Sequence, residues 1–368
     1  MRQTLFFATK HYGMKTIKFI GITIAVLLFL VGLFFAYATI NDYQPQECEL
    51  ISHTNQCDTL KTSDTISVLS WNIGYAGLDK EMDFFYDGGS KMRPSEEQVA
   101  VNLKGIQDFL IQNDSIDFIL LQEADKKAKR SYNTDQIDCF DKALPSHASF
   151  FALNYNVDFV PIPLAEPMGG VQSGLNTLSR LRPQKAERHA FPFNFNWPQK
   201  VFLLDRCFLA TYHPLDNGKQ LVIINTHNSA FDDNGSIRKA ELNLFKDFLV
   251  NEYLKGNYVV VGGDFNQSPP NLKTDFGTEP FDFDDYVAIP DSLLPQGWHY
   301  VFDNATPSNR RVIDAYKKGT TKVTLIDFFI TSPNIKATSV KCINLGFEHS
   351  DHNPVIGTFT FNNELKKE

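Results

Sequence analysis

Positive charge is scarce in this sequence. Lys and Arg number 35 against 43 Asp and Glu, a net charge of −8. Four of those bases (Arg2, Lys10, Lys15 and Lys18) fall in the first 18 positions, where there is no acid, so the remainder carries −12. A body that acidic is poorly suited to coating a long polyanion, because phosphate contacts draw on Lys and Arg. A local basic groove stays open to it. Cysteine is also sparse, at five residues. Cys139, Cys207 and Cys342 stand at no metal-type spacing, which argues against a cysteine-held zinc, and Cys207 and Cys342 sit in apolar runs as buried free thiols would. Cys48 and Cys57 lie close together in a polar stretch and would form a local disulfide in an oxidising compartment. Internal repeats and low-complexity tracts are absent. One large α/β domain plus a terminal segment accounts for the 368 residues.

What the sequence does have is one long apolar run and an abundance of Phe, 32 residues, which predicts aromatic packing in the core. From Phe19 to Ile40 no charged residue occurs. At helical rise such a run spans roughly 30 Å, the thickness of a hydrocarbon core. A buried core helix is the alternative, but core helices apolar on every face are rare at a chain terminus. Lys10, Lys15 and Lys18 precede the run and Asp42, Glu47 and Glu49 follow it. The positive flank stays in the cytoplasm, which predicts a cytoplasmic segment over 1–18, a transmembrane helix over 19–40, and the bulk of the protein on the extracytoplasmic side. Ala36-Tyr37-Ala38 also resembles a signal-peptide cleavage site, with Met14 as an alternative start. Residues 41–63 read as a polar stalk, and 64–362 as the folded domain.

Within that domain, Thr65–Trp71 and Ile116–Gln122 read as strands. Ser95 with Gln98 is a capping box, followed by Val99, Leu103, Ile106 and Leu110 at helical spacing. Phe202–His213 and Gln220–His227 flank Asp216-Asn217-Gly218, a hairpin signal. A helical face covers 236–254, and Tyr258–Val261, Val323–Thr331 and Pro354–Phe361 are further strands. Residues 127–200 and 270–320 look irregular, with loops and edge strands, and 80–95 resembles an insertion. The mixture of strands, hairpins and helices predicts an α/β sheet sandwich.

Short polar motifs recur where strands end: Trp71-Asn72, Gln122-Glu123, Thr226-His227-Asn228, Gly263-Asp264-Phe265-Asn266 and Ser350-Asp351-His352. Strand ends are where catalytic groups project from a rigid scaffold. Singly each has a bland reading: a turn residue, a helix-terminal charge, a core histidine. Asp327 resists one, because an acid inside the apolar strand VTLIDFFIT pays for desolvation unless it has a partner such as His352.

In order and spacing, these motifs resemble the endonuclease/exonuclease/phosphatase superfamily, which includes pancreatic-type deoxyribonucleases, abasic-site endonucleases, neutral sphingomyelinases and inositol polyphosphate 5-phosphatases. The resemblance covers about 64–362. Gly174–Arg180 is also similar to the family's mid-domain Gly-Asn-x-x-Leu-Ser-Arg strand, imperfectly, and Arg206 in LLDRCF matches a recurrent arginine. The resemblance implies a four-layer αββα sandwich and hydrolysis of phosphoesters with Mg²⁺, Mn²⁺ being the alternative ion. Glu123 would be the main metal ligand, with Asn72 and Asp351 beside it, since a hard cation takes oxygen donors. Asp264 would orient or deprotonate the attacking water, and Asn266 would hydrogen-bond a phosphate oxygen. His352 would stabilise the developing charge, held by Asp327. His227 would contact phosphate or protonate the leaving oxygen, and Arg206 would clamp phosphate with its planar fork.

The substrate is less determined. The 5-phosphatase Trp-Cys-Asp-Arg run is missing; Asp205-Arg206-Cys207 holds similar letters in another order. The expected activity is a nuclease-like phosphodiesterase, for which Lys126, Lys127, Lys129 and Arg130 would supply a basic groove. The alternatives are a phospholipid phosphodiesterase, with the aromatic run Phe191–Trp197 dipping into an interface, a small-molecule phosphatase, or a non-catalytic binding module. A binding module would lack Glu123, Asp264 or His352, and all are present. No feature calls for an obligate protein partner.

Overall fold

In the computed structural model, residues 2–192, 195–230, 235–273, 276 and 288–362 are described, with side chains from Thr16 onward. Phe193 and Asn194 of the aromatic run, and 274–275 and 277–287 of the loop-rich 270–320 segment, lie outside the described residues.

The chain runs α1 (Arg2–Ile40), β1 (Cys48–His53), β2 (Thr65–Asn72), α2 (Glu96–Gln112), β3 (Phe118–Ala128), α3 (Gln136–Ala143), β4 (Ala148–Val160), β5 (Gly169–Ser179), β6 (Lys185–Ala190), β7 (Cys207–Pro214) and β8 (Gln220–His227). It continues as α4 (Ser236–Leu254), β9 (Tyr258–Asp264), β10 (His299–Val301), β11 (Asn309–Arg310), β12 (Val323–Thr324), β13 (Asp327–Thr331), β14 (Ile335–Cys342) and β15 (Val355–Phe361). Strands β14-β15-β2-β3-β5-β4 form one sheet and β1-β6-β7-β8-β9-β13-β10 the other, with β11 and β12 as a separate ladder. The pairs β2–β3 and β8–β9 are parallel.

Side-chain alternation explains why these strands are buried on both faces. In β2, Val68 points between the sheets, toward Leu221, Ile223 and Val260. Its neighbours Leu69 and Trp71 point outward, under Val99, Leu103, Ile106 and Leu110 of α2. On the far side Leu242, Phe245 and Leu249 of α4 cover Val222, Ile224, Val259 and Val261. Helix, sheet, sheet and helix therefore stack as four layers. Each such apolar side chain contributes about 1.5–3 kcal/mol through burial. Helix α2 starts where the sequence predicts, its Ser95 side chain accepting from the Gln98 N–H.

Expectations for three stretches of the sequence need correction. Residues 127–200 are not mainly loops: they hold β4, β5 and β6, with β5 internal between β3 and β4. Polar residues such as Ser173, Asn176 and Thr177 are buried there, so the apolar signature of a strand is diluted. Residues 41–63 are not simply a stalk. Cys48–His53 adds to the sheet edge by pairing antiparallel with β6. Both Cys48 and Cys57 are free thiols, with Cys48 Sγ instead 4.0 Å from His189 Nε2.

The third correction concerns the basic run after Glu123. Arg130 is buried rather than exposed on a groove. Its Nη2 donates to Asp125 Oδ1 at 2.9 Å and its Nε to Oδ2 at 3.2 Å, while the guanidinium lies 3.8 Å over the Tyr75 ring. Arg130→Met strands the Asp125 carboxylate in the interior and is expected to cost about 3–5 kcal/mol of stability. Urea melts of the variant check this; a loss under about 1 kcal/mol would show that the pair is not a structural anchor.

Candidate active site

The parallel pairs bring the C-terminal ends of β2, β8 and β9 and the middle of β3 to one rim of the sandwich: Asn72 and Glu123 from the first sheet, His227 and Asp264 from the second. Pairing slips between Leu121 and Ala124, and Glu123 sits in that bulge with φ of 54°. A bulge re-aims one side chain, and a non-glycine residue at positive φ is a strain that concentrates at functional sites. Asn72 then bridges the sheets. Its Nδ2 donates to Asp264 Oδ2 at 2.9 Å and to Glu123 Oε1 at 3.2 Å, while its Oδ1 accepts from Gly74 N–H. Gly74 has φ of +48°, and a Cβ there would come within 2.9 Å of Asp351 Oδ1, so the turn leaving β2 needs glycine.

Asp264 is the hub. His227 Nε2 lies 3.4 Å and His352 Nε2 3.7 Å from its Oδ2, and Asn266 N–H donates to its Oδ1 at 2.8 Å. Asn266 adopts φ of 50°, tolerated by Asn, and its amide donates to Asn228 O at 2.8 Å. Asp327 pairs across the ladder with Asp264. Its Oδ2 takes a 2.7 Å hydrogen bond from His352 Nδ1, which gives the acid in the apolar strand the partner that its sequence context demanded. Phe265 and Phe328 stack at 4.1 Å beside these two acids and hold their strands in register. His227 Nε2 also lies 3.9 Å from Glu123 Oε1, and His352 Nε2 3.9 Å from Asp351 Oδ2. The predicted residues Asn72, Glu123, His227, Asp264, Asn266, Asp327, Asp351 and His352 are thus brought together. Arg206, just before β7, is near enough for Glu123 and Asp264 to act on its charge, and its Nη1 is buried without a hydrogen-bond partner.

The electrostatics follow from burial and crowding. Burial pushes the Asp264 carboxyl up to about 6 and that of Asp351 up to about 7. Burial opposes charge on His352, but Asp327, Asp351 and Asp264 outweigh it and hold the imidazolium well above its ordinary range. Asn309 Nδ2 lies 2.9 Å from His352 Nε2 and donates to the Asp351 carbonyl oxygen at 3.4 Å. His227 goes the other way, driven well below its ordinary range by burial, with Arg206 and His352 adding to the effect. The surroundings thus push the two histidines in opposite directions, a separation that suits distinct roles.

The donor chemistry fits a divalent cation. Glu123, Asp351 and Asn72 offer oxygen ligands, and the buried carboxyls of Asp351 and Asp264, both pushed up by burial, want a positive charge nearby. Two clusters of metal-type atoms lie within 4.8 Å among the described residues, Cys48, Glu187 and His189 away from this rim site and Asp264, Asp327 and His352 within it. There the 2.7 Å Asp327–His352 contact already encloses a proton, so that trio is a proton-holding pair with an acceptor rather than a cradle for an ion.

The sequence reading missed Asn309 and Arg310. Asn309 sits on His352, and Arg310 N–H donates to Asp351 O at 3.0 Å while its Nη2 donates to Asp79 and Met82 carbonyls. Arg310 thereby ties the insertion-like 80–95 segment to the rim. Their only signal was a run of polar residues, Ser308–Arg311, inside a loop-rich stretch.

No curated protein matches the chain. Among solved structures, TDP2 of D. rerio complexed with single-strand DNA product is similar at 15% identity and TM-score 0.52, over 81% of this chain and 99% of that one. ANGEL2, a 2',3'-cyclic phosphatase in complex with adenosine-2',3'-vanadate, is similar at 14% identity and TM-score 0.54, over 87% and 99%. A functionally unknown conserved protein from Enterococcus faecalis V583 is similar at 12% identity and TM-score 0.51, over 80% and 100%. Such likeness shows the fold, the expected αββα sandwich. Residues 69–352, a stretch that opens just before Asn72 and closes on His352, match the Endonuclease/Exonuclease/phosphatase family. This chain belongs to that family, whose members are metal-dependent phosphoester hydrolases.

Proposed function

We propose that the chain is a Mg²⁺-dependent phosphodiesterase of nuclease-like chemistry, held by α1 in a membrane with its catalytic domain on the extracytoplasmic side. The observation that carries this reading is the convergence of Glu123, Asp264 and His352 from three separate stretches of sequence: His227 lies 3.9 Å from Glu123 and 3.4 Å from Asp264, and His352 lies 3.7 Å from Asp264. The membrane part rests on the apolar span Thr16–Ile40, of mean hydropathy 2.8, and on the lysines that precede it.

Glu123 and Asp351, with the second lone pair of Asn72 Oδ1, would hold Mg²⁺, which supplies charge neutralisation for the phosphoryl group. Asp264 orients a water and accepts its proton as the water oxygen bonds to phosphorus. The His352 imidazolium and the Arg206 guanidinium meet the negative charge that develops on the phosphoryl oxygens. Asn266 donates to one of those oxygens through the N–H that Asn228 leaves unused. Neutral His227 serves as a hydrogen-bond donor to phosphate rather than as a source of a proton.

The test is full-length protein in detergent micelles with bis-p-nitrophenyl phosphate. Turnover should vanish in EDTA and return with Mg²⁺, and Mn²⁺ should be tried beside it. Glu123→Gln should raise the Mg²⁺ concentration for half-maximal rate by about 10–100-fold. Turnover that persists in EDTA, or an unchanged Mg²⁺ dependence in Glu123→Gln, would overturn the reading.

A further inference from the structure

Strand directions decide which end of the sandwich α1 approaches. The catalytic rim lies at the C-terminal ends of β2, β8 and β9, level with Glu123 in β3, which itself runs on to Ala128. Because β5 is antiparallel to β3 and β4 to β5, the β4–β5 connection, residues 161–168, lies at that same rim. Ala128 and Val157 both pair with Val171, so this hairpin continues about five residues past the level of Glu123, roughly 15 Å of strand. In the other sheet β7 is antiparallel to β8 and β6 to β7, which places the end of β6 and the start of β7, at Ala190 and Cys207, at the rim as well. β1 is antiparallel to β6, so its first residue, where the chain arrives from α1, is also there.

The contacts of α1 agree. Phe34 stacks on Phe202 at 5.8 Å and meets Phe159 edge-on at 6.3 Å. Tyr37 OH donates to Asp158 at 2.8 Å, and Trp197 Nε1 donates to Thr39 Oγ1 at 3.0 Å. These contacts come from the last two turns of the helix and are made with the catalytic end of the domain. β4 is two strand spacings from β3, about 10 Å. The exposed apolar residues of this end gather on the same side: Leu164 is 85% exposed, Trp197 57%, Ile162 49% and Phe159 41%. Tyr86 OH donates to Ile162 O and pins the hairpin tip to the 80–95 segment. Aliphatic tips flanked by Trp and Tyr are the composition of a membrane-interface belt.

From this juxtaposition we infer that the catalytic mouth opens along the bilayer and that the substrate is a phosphodiester in a lipid headgroup, not a nucleic acid taken from solution. The inference rests on the phosphodiesterase reading above and narrows it. One water is consumed: its oxygen becomes the new oxygen on phosphorus, the bond from phosphorus to one alcohol oxygen breaks, and that alcohol leaves with a proton from the water. Arg130, one of four bases on which a nucleic-acid groove would depend, is turned inward, whereas Lys126, Lys127 and Lys129 remain exposed at the end of β3, beside the hairpin, where they suit an anionic lipid surface.

The full chain is reconstituted with Mg²⁺ in vesicles of phosphatidylcholine, phosphatidylglycerol and sphingomyelin. Headgroup release is followed beside hydrolysis of soluble bis-p-nitrophenyl phosphate and nicking of plasmid DNA. Lipid turnover should exceed DNA cleavage. The double substitution Ile162→Asp/Leu164→Asp, outside the catalytic machinery, should lower lipid turnover about tenfold or more while soluble-ester turnover stays within about twofold. Faster DNA cleavage, or undiminished lipid turnover in the double variant, would overturn the inference. A second measurement is independent of activity. The other two tryptophans, Trp71 and Trp298, are buried; with Trp197→Phe as background, Leu164→Trp places a probe on the hairpin tip. Brominated phosphatidylcholine should quench it, and an unquenched tip overturns the inference. Loss of soluble-ester hydrolysis alone would instead count against the phosphodiesterase reading, while the depth of the tip still reports which way the rim faces.

Discussion

Asp264→Asn is expected to leave the fold intact and lower kcat by about 10³-fold or more, within the range that a positioned base and electrostatic partner contribute. The carboxylate is buried at the end of β9, accepts from Asn72 and Asn266, and stands 3.4 Å and 3.7 Å from the two histidines. An amide of the same shape keeps one of these hydrogen bonds and loses the other, because Asn72 donates to Oδ2 and Asn266 to Oδ1. It cannot take a proton from water. The Asp264 carboxyl is pushed up to about 6 by burial, closer to neutral pH than a surface aspartate and so better matched to a general base. KM should change little, since the group acts on the water and not on the ester. The check is steady-state kinetics on bis-p-nitrophenyl phosphate together with a thermal melt. A kcat within about tenfold of wild type, with the melt unchanged, would remove Asp264 from the water-activating role.

The site was legible in the sequence because its parts are local. Gly263-Asp264-Phe265-Asn266 and Ser350-Asp351-His352 are short words at strand ends, and the strands that carry them are apolar enough to recognise. The strands that complete the first sheet were not. In β5 the interior face near the rim is polar by construction: Asn225 donates from Nδ2 to Leu121 O at 3.0 Å and to Asn176 O at 3.1 Å, and its Oδ1 accepts from Gln122 at 2.7 Å. This amide network replaces apolar packing between the sheets, so periodicity in hydrophobicity fails where the satisfied network takes over. Asn309 and Arg310 were hidden for a different reason. They belong to a two-residue strand whose position depends on Asp351 and His352 some 40 residues later, a dependence that no local pattern encodes. The run Cys48–His53 is an edge strand with little burial of its own, held by pairing to β6, and polar edge residues read as linker.

Asp327→Asn tests the charged histidine. His352 keeps its proton because Asp327, Asp351 and Asp264 surround it, and Asp327 is the one in direct 2.7 Å contact with Nδ1. The ordinary His pKa lies near 6.5, and the folded value is raised above it. Removing the nearest carboxylate therefore lowers the His352 pKa, so the imidazolium is lost at lower pH. If the charged ring meets developing phosphoryl charge, the basic limb of the kcat profile should move to lower pH in Asp327→Asn. The rate at neutral pH should fall by about 10²–10⁴-fold, since the amide also offers Nδ1 an N–H and favours the wrong tautomer. His352→Ala should lose a comparable factor, and the double variant should lose little more than either single one, because the two residues act as a unit. An unmoved basic limb in Asp327→Asn, or additive losses in the double variant, would mean that Asp327 merely fills its place in β13 and that another group carries the positive charge.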